Sequence, residues 1–246
     1  MDRSRPTRRR TRSAVLAVAV VVALCALLPA TAAANTTSLT LVAAPDVIPY
    51  AGTSILTGTF MDTTTMTAIG GLPILVQSSA AATGPWTDGA VITTLDDAPA
   101  YYTGTYTFVV MPRDKTYYRM TYEGDVTLDA ATSTAVSVTP GVYLSKPKVP
   151  RSVRHGVKFT IRSNIMPKHP AGLKTVAKVK LYRYQGGKWV YRTSKWMKTA
   201  NYLNFTKLTA KLSLKKTGKW KARVYAPTDS LHAATLSKYS KVFRVK

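Results

Sequence analysis

An all-β fold, arranged as two tandem β-sandwiches behind a secretory leader, is the architecture this sequence predicts. Three observations predict it: short runs alternating apolar and polar residues, Gly, Pro, Asn and Asp punctuation between them, and an abrupt change of charge near residue 140. Alternation with a period of two places one set of side chains on a buried face and the other in water, which is the signature of a half-buried strand. Helical periodicity is scarce after the leader.

The leader spans residues 1–34. Arg3, Arg5, Arg8, Arg9, Arg10 and Arg12 form a basic start, residues 14–28 an apolar run, and Ala32 and Ala34 a small-residue cleavage site. The apolar run is about 15 residues long where a bilayer span needs roughly 20, so a cleaved leader is expected over a membrane anchor. The paired arginines suggest a twin-arginine route, but no Phe-Leu-Lys continuation follows them. Cys25, the one cysteine, lies within the apolar run and leaves with it. The mature chain then holds no thiol, which excludes disulfides, thiolate metal sites and cysteine catalysis.

The first module is predicted over residues 35–139. Leu39 and Leu41 alternate with Thr40 and Val42, and Tyr106, Phe108 and Val110 with Thr105, Thr107 and Val109. The segment Thr139-Pro140-Gly141 ends the strand around Val138 and marks the boundary. The second module, residues 140–246, continues the pattern: Val157, Phe159 and Ile161 oppose Lys158, Thr160 and Arg162, and Leu208, Ala210, Leu212 and Leu214 oppose Lys207, Thr209, Lys211 and Ser213. The halves read as diverged copies. Gly84-Pro-Trp86 is echoed by Gly187-Lys-Trp189, and Gly104-Thr-Tyr106 by Gly218-Lys-Trp220, each glycine making a turn before an aromatic strand start.

These residues carry a resemblance. Thr37-Ser-Leu-Thr-Leu41, Gly104-Thr-Tyr-Thr-Phe108, Thr116-Tyr-Tyr-Arg119 and the closing residues 133–138 resemble bacterial immunoglobulin-like repeats. Val179-Lys-Leu-Tyr-Arg-Tyr184, Gly187-Lys-Trp189, Gly218-Lys-Trp220 and Tyr225-Ala-Pro227 resemble the same class of module in secreted actinobacterial proteins. The resemblance implies two immunoglobulin-like sandwiches acting as a spacer, an adhesion unit or a wall-binding appendage.

Charge is strongly polarised. Residues 140–246 hold 26 Lys and Arg against the single acid Asp229, a formal +25, whereas residues 35–139 hold three bases against nine acids, a formal −6. Solubility needs only a modest net charge, and +25 carries self-repulsion that a few acids would relieve, so a polyanionic partner is expected. Along residues 174–184 one face is expected to carry Lys174, Lys178, Lys180, Tyr182 and Tyr184; along residues 219–225, Lys219, Lys221, Arg223 and Tyr225 point outward. If the two strands share a sheet, their cations form one patch able to take teichoic acid, an anionic glycan or, without sequence preference, nucleic acid.

Catalytic and metal centres are not expected. His155, His169 and His232 fall in turn-like sequence without His-x-x-x-His or His-Glu spacing, and read as scattered surface histidines. Asp229, Ser230 and His232 sit in one loop, whereas a triad draws its members from separate elements; the loop is expected to cap the sandwich. The acid pairs Asp96 with Asp97 and Glu123 with Asp125 adjoin turns, where carboxylates serve solvation and local hydrogen bonds. Glu123, Asp125 and Asp129 offer calcium-type oxygens but lack the Asp-x-Asp-x-Asp-Gly pattern. Trp189 and Trp196 are expected to pack in the core or at an edge, with sugar stacking as the alternative.

The expected protein is therefore secreted and without cofactor, held non-covalently on an anionic envelope polymer through its basic module. The rival is a structural or adhesion protein in which the acidic module of one copy meets the basic module of the next.

Overall fold

The computed structural model describes residues 33–96 and 103–246. The predicted leader through residue 32, Cys25 within it, and Asp97 lie outside the described residues. The regular elements are all strands. In the first half they are β1 (Thr37–Leu39), β2 (Val42–Ala44), β3 (Val47–Ile48), β4 (Ser54–Asp62), β5 (Thr67–Ala68), β6 (Pro73–Ser79), β7 (Thr87–Thr93), β8 (Thr105–Val110), β9 (Thr116–Tyr122), β10 (Ala131–Thr132) and β11 (Val136–Pro140). In the second half they are β12 (Tyr143–Leu144), β13 (Ser152–Val153), β14 (Phe159–Met166), β15 (Lys178–Gln185), β16 (Lys188–Trp196), β17 (Lys198–Tyr202), β18 (Phe205–Leu212), β19 (Gly218–Ala226), β20 (Thr235–Leu236) and β21 (Phe243–Val245).

Each half lays two sheets over one core. In the first, β1, β2, β5 and β8 all pair with β4, and the facing sheet runs β3-β11-β9-β6-β7 with β10 on β9. In the second, β12-β14-β18-β17 faces β13-β21-β19-β15-β16 with β20 on β19. Alternation drives the closure: Leu56 and Phe60 of β4 and Tyr106 of β8 meet Ile74 of β6 and Met120 of β9. Ile161 and Ile165 of β14 and Leu208 of β18 meet Val179 and Leu181 of β15 and Trp220 of β19. Each fully buried Leu or Ile contributes about 1.5–3 kcal/mol relative to exposure, and with no cysteine after residue 34 these clusters carry the stability.

The larger sheets have the same topology. β3 lies parallel to β11 as β13 lies parallel to β21, and β6–β7 is the counterpart of β15–β16. Trp86 and Trp189 therefore occupy equivalent hairpins, in line with the first sequence echo. The second echo is wrong. Gly104-Thr-Tyr106 opens β8, which pairs with β4 in the smaller sheet, whereas Gly218-Lys-Trp220 opens β19, whose counterpart is β9. A turn followed by an aromatic recurs at many strand starts and does not say which strand begins. Val157 also departs from its expected place, being 54% exposed in the turn before β14, so the buried alternation starts at Phe159.

The halves meet at the segment around residue 140. Val138 closes the first core and Val142 opens the second. Backbone bonds cross the junction from Gly141 N–H to the Ile48 carbonyl at 2.7 Å, from Ala233 N–H to the Pro140 carbonyl at 2.9 Å, and from Lys115 N–H to the Leu231 carbonyl at 2.8 Å.

Candidate functional site

β15 lies between β16 and β19, and its register decides what shares its outer face. Lys178 stands opposite Tyr225 and Trp196, Lys180 opposite Arg223 and Ser194, and Tyr182 opposite Lys221 and Tyr191. One step on, Tyr184 faces Trp189, and Lys219 of β19 faces Arg244 of β21. Val179, Leu181, Trp220, Ala222 and Val224, the intervening residues, are buried. The register of β16 shifts between the partners of Leu181 and Tyr182. That irregularity brings Tyr191, not Arg192, opposite Tyr182.

Of the eight residues expected on this face, Lys178, Lys180, Tyr182, Tyr184, Lys219, Lys221 and Arg223 stand together. Lys174 does not. β15 begins only at Lys178, and Lys174 sits in the preceding turns, lining a cavity of about 600 Å³ with Arg162, Lys195, Trp196, Lys198 and Lys211. The reason is the break in alternation at residues 170–176, where Pro170 and Gly172 interrupt the strand. Sequence reasoning missed Tyr239, which lies outside the strands, and Arg244, which alternates outward on the three-residue strand β21.

Cations and rings interleave. The Nζ of Lys180 lies 4.1 Å from the centre of the Tyr225 ring, and that of Lys221 lies 3.6 Å from Tyr239 and 4.6 Å from Trp189. The Arg223 guanidinium lies 5.0 Å from Tyr239. Burial, foremost, and the neighbouring Tyr239 push the Tyr182 phenol up, so it stays a neutral donor. Trp189 and Trp196 are both on edge strand β16, neither in the core, and Trp196 is 42% exposed. At one end of the face Arg151, Lys219 and Arg244 join Tyr184 and Trp189 around a cavity of about 450 Å³.

Electrostatics set these cations apart from ordinary surface charge. Among the described residues every ion pair within 4.0 Å involves a histidine, so no Lys or Arg there has a carboxylate partner. Lys180 faces Arg223 and Lys219 faces Arg244 across adjacent strands, and like charges directly opposite one another destabilise a sheet. The other sheet of this half also carries bases, with Arg162, Lys207 and Lys211 among Thr160 and Thr209, but few rings. Its one cation–ring contact is Lys207 over Tyr202 at 3.6 Å.

Two acidic expectations resolve differently. Asp125 turns both oxygens inward on its own loop: Oδ1 accepts from Thr127 N–H, Thr127 hydroxyl and Leu128 N–H, and Oδ2 from the Tyr122 hydroxyl at 2.8 Å. The Thr127 hydrogen bonds, chiefly, hold its carboxyl well below the usual range. Its oxygens are thus committed, and Glu123, Asp125 and Asp129 form no joint set of ligands among the described residues.

The histidines are not scattered over the surface. Only His155 is exposed, whereas His232 is 3% exposed and His169 lies against it with ring centres 5.5 Å apart. Asp229 joins them, its Oδ1 accepting from Leu231 N–H at 2.8 Å and His232 N–H at 2.7 Å, and standing 3.2 Å from His232 Nδ1. The Asp229 loop lies against the first half, the Leu231 carbonyl accepting from Lys115 N–H at 2.8 Å. No hydrogen bond joins Ser230 to His232 among the described residues. Asp114, from the first half, brings Oδ1 within 3.2 Å of His232 Nε2 but out of hydrogen-bond alignment, so that buried nitrogen has no hydrogen-bond partner. Sequence spacing brings together only Asp229 and His232, three residues apart in one loop, whereas His169 and Asp114 arrive from loops distant along the chain.

No protein-family model matches the chain, and no curated protein does. Among solved structures it is similar to superoxide reductase (neelaredoxin) from Ignicoccus hospitalis, at 23% identity over 41% of this chain and 80% of that one, with a TM-score of 0.23. It is also similar to Salmonella alpha-2-macroglobulin reacted with methylamine, at 11% identity over 86% of this chain and 16% of that one, TM-score 0.35. For the native conformation of E. coli alpha-2-macroglobulin the identity is 9%, the coverage 86% and 17%, and the TM-score 0.33. The chain thus spans about one sixth of the length of the alpha-2-macroglobulins it matches.

Proposed function

We propose that this is an exported, non-catalytic protein of two immunoglobulin-like modules, residues 35–139 and 140–246, whose basic second module holds it on an anionic polymer of the cell envelope. The observation that carries the reading is the outer face of β15 and β19, where cations without carboxylate partners among the described residues oppose one another across strands and alternate with rings that are half-buried or, at Tyr184, exposed. Such a surface costs the free protein repulsion and returns that energy when phosphates or carboxylates lie across it. Rings beside the cations add stacking area for sugars. The cavity framed by Arg151, Lys219, Arg244, Tyr184 and Trp189 has the composition to seat one anionic sugar or phosphate unit.

Each polymer phosphate neutralised releases condensed counterions, so log K falls with log salt by roughly 0.7–0.9 per contact on a nucleic-acid polymer and by a comparable slope on other phosphate chains. The test is retention of the full chain on purified wall polymer and on heparin across a salt gradient, against two triple variants. Lys180→Gln/Lys221→Gln/Arg223→Gln is expected to lose about two to three contacts' worth of slope. Arg162→Gln/Lys207→Gln/Lys211→Gln, with the same charge removed from the opposite sheet, is expected to lose far less. Equal losses from the two variants would reduce the reading to bulk charge, and unchanged elution of the first would remove this face from it.

A further inference from the structure

From the cluster between the halves we infer a second site, independent of the basic face: a divalent transition-metal site of the zinc class, ligated by His169 Nε2, His232 Nδ1 and Asp229 Oδ2.

The donor atoms are close enough. One ligand atom from each residue lies within 4.8 Å of the other two. Asp229 Oδ2 is 3.4 Å from His232 Nδ1 and 3.6 Å from His169 Nε2. Tetrahedral zinc with bonds of about 2.0–2.2 Å separates its ligands by about 3.3–3.6 Å. Both distances exceed a good hydrogen bond and suit two ligands of one ion.

Protons are arranged to leave the right lone pairs. His169 Nδ1 is 2.8 Å from the Pro167 carbonyl, which can only accept, so Nδ1 carries the hydrogen. In the neutral ring Nε2 then directs a lone pair at the Asp229 carboxylate, acceptor against acceptor, an arrangement a cation between them makes favourable. The backbone amides of Leu231 and His232 engage Asp229 Oδ1, leaving Oδ2 for the ion. With Nδ1 of His232 on the metal, its hydrogen moves to Nε2, the buried nitrogen facing Asp114 Oδ1 at 3.2 Å. A ligating histidine whose second nitrogen donates to a carboxylate or a backbone carbonyl is the common outer arrangement of metal sites; His169 has it through the Pro167 carbonyl, and for His232 the Asp114 carboxylate stands 3.2 Å away and must turn to accept.

Two imidazoles and one carboxylate select a borderline ion such as Zn²⁺ over Ca²⁺ or Mg²⁺, which take oxygen ligands. Three protein ligands leave at least one coordination position for water or an incoming anion. All three line one cavity of about 660 Å³, together with Asp114, Lys168 and Trp196. Since Asp114 belongs to the first half and the ligands to the second, the ion also tightens the junction.

The full chain, without an affinity tag and stripped by chelator, is titrated with Zn²⁺ calorimetrically, and its thermal midpoint is read with and without the ion. One equivalent is expected to bind and raise the midpoint. Asp229→Asn keeps the oxygen that accepts the Leu231 and His232 amides but replaces the ligating one, and His169→Ala removes a ligand from the rim. Each is expected to weaken binding at least about 100-fold, and Asp114→Asn about 10- to 100-fold. Co²⁺ added to the unaltered chain is expected to develop visible absorption of a nitrogen- and oxygen-ligated site, a readout that needs no variant. Absence of both heat and absorption at about 100 µM ion overturns the proposal; so does binding that survives both Asp229→Asn and His169→Ala unchanged.

Discussion

Tyr122 shows how one residue ties an end of the first core to pH. Burial, chiefly, and the Asp125 carboxylate accepting its hydroxyl at 2.8 Å push its phenol up to about 12. An unfolded tyrosine ionises near pH 10. Because the folded value is the higher one, the contribution to stability is complete below about pH 10 and is lost as the pH rises through about 12. Thermal midpoints of the unaltered chain and of Tyr122→Phe, compared from pH 9 upward, should show a shallower alkaline fall in the variant. Tyr106 and Tyr118, also raised by burial, keep the fall from vanishing. Lysine deprotonation affects both proteins alike, so identical slopes would mean that Tyr122 is not the group responsible.

At the scale of elements the two halves share a stitch that sequence reading did not find. Ser133 N–H donates to the Met120 carbonyl while Met120 N–H donates to the Ser133 hydroxyl at 2.9 Å, fastening the approach to β11 onto β9. Ser240 does the same for β21 on β19, its hydroxyl accepting the Ala222 amide at 2.9 Å. Ala222 is fully buried, so Ser240→Ala strands an amide without water and should cost roughly 1–3 kcal/mol. Chemical denaturation checks it: a loss under about 0.5 kcal/mol would show that the amide finds another partner. Strand existence and facing were legible, because Val179, Leu181, Val224 and their neighbours obey a period of two. Pairing was not, since nothing local in β15 says that β19 rather than β14 lies beside it. The candidate face was legible for seven residues because alternation alone assigns them outward. Lys174 failed where alternation stopped, and the histidine–aspartate cluster stayed hidden because tertiary contact, not spacing, assembles it.

At the scale of the whole molecule, charge opposes folding of the second half. Its formal +25 over residues 140–246 includes cross-strand pairs of like sign, and among the described residues no carboxylate lies within 4.0 Å of its Lys or Arg side chains. The screening length shrinks from about 30 Å at 0.01 M salt to about 10 Å at 0.1 M, so modest salt removes most repulsion between cations separated by more than about 10 Å while leaving that between directly opposed neighbours. The thermal midpoint should therefore rise between about 0.01 and 0.1 M sodium chloride, by roughly 4–8 °C for each kcal/mol of repulsion relieved in a unit of this size. An anionic polymer reaches the remaining short-range term because its phosphates can sit between Lys180 and Arg223, where diffuse chloride does not. Heparin or wall polymer added at constant ionic strength should then raise the midpoint beyond the plateau reached with salt. Calorimetry separates the two contributions: a midpoint that falls with salt would mean the cations are not in mutual repulsion, and a polymer without effect at the plateau would leave the basic face with screening alone.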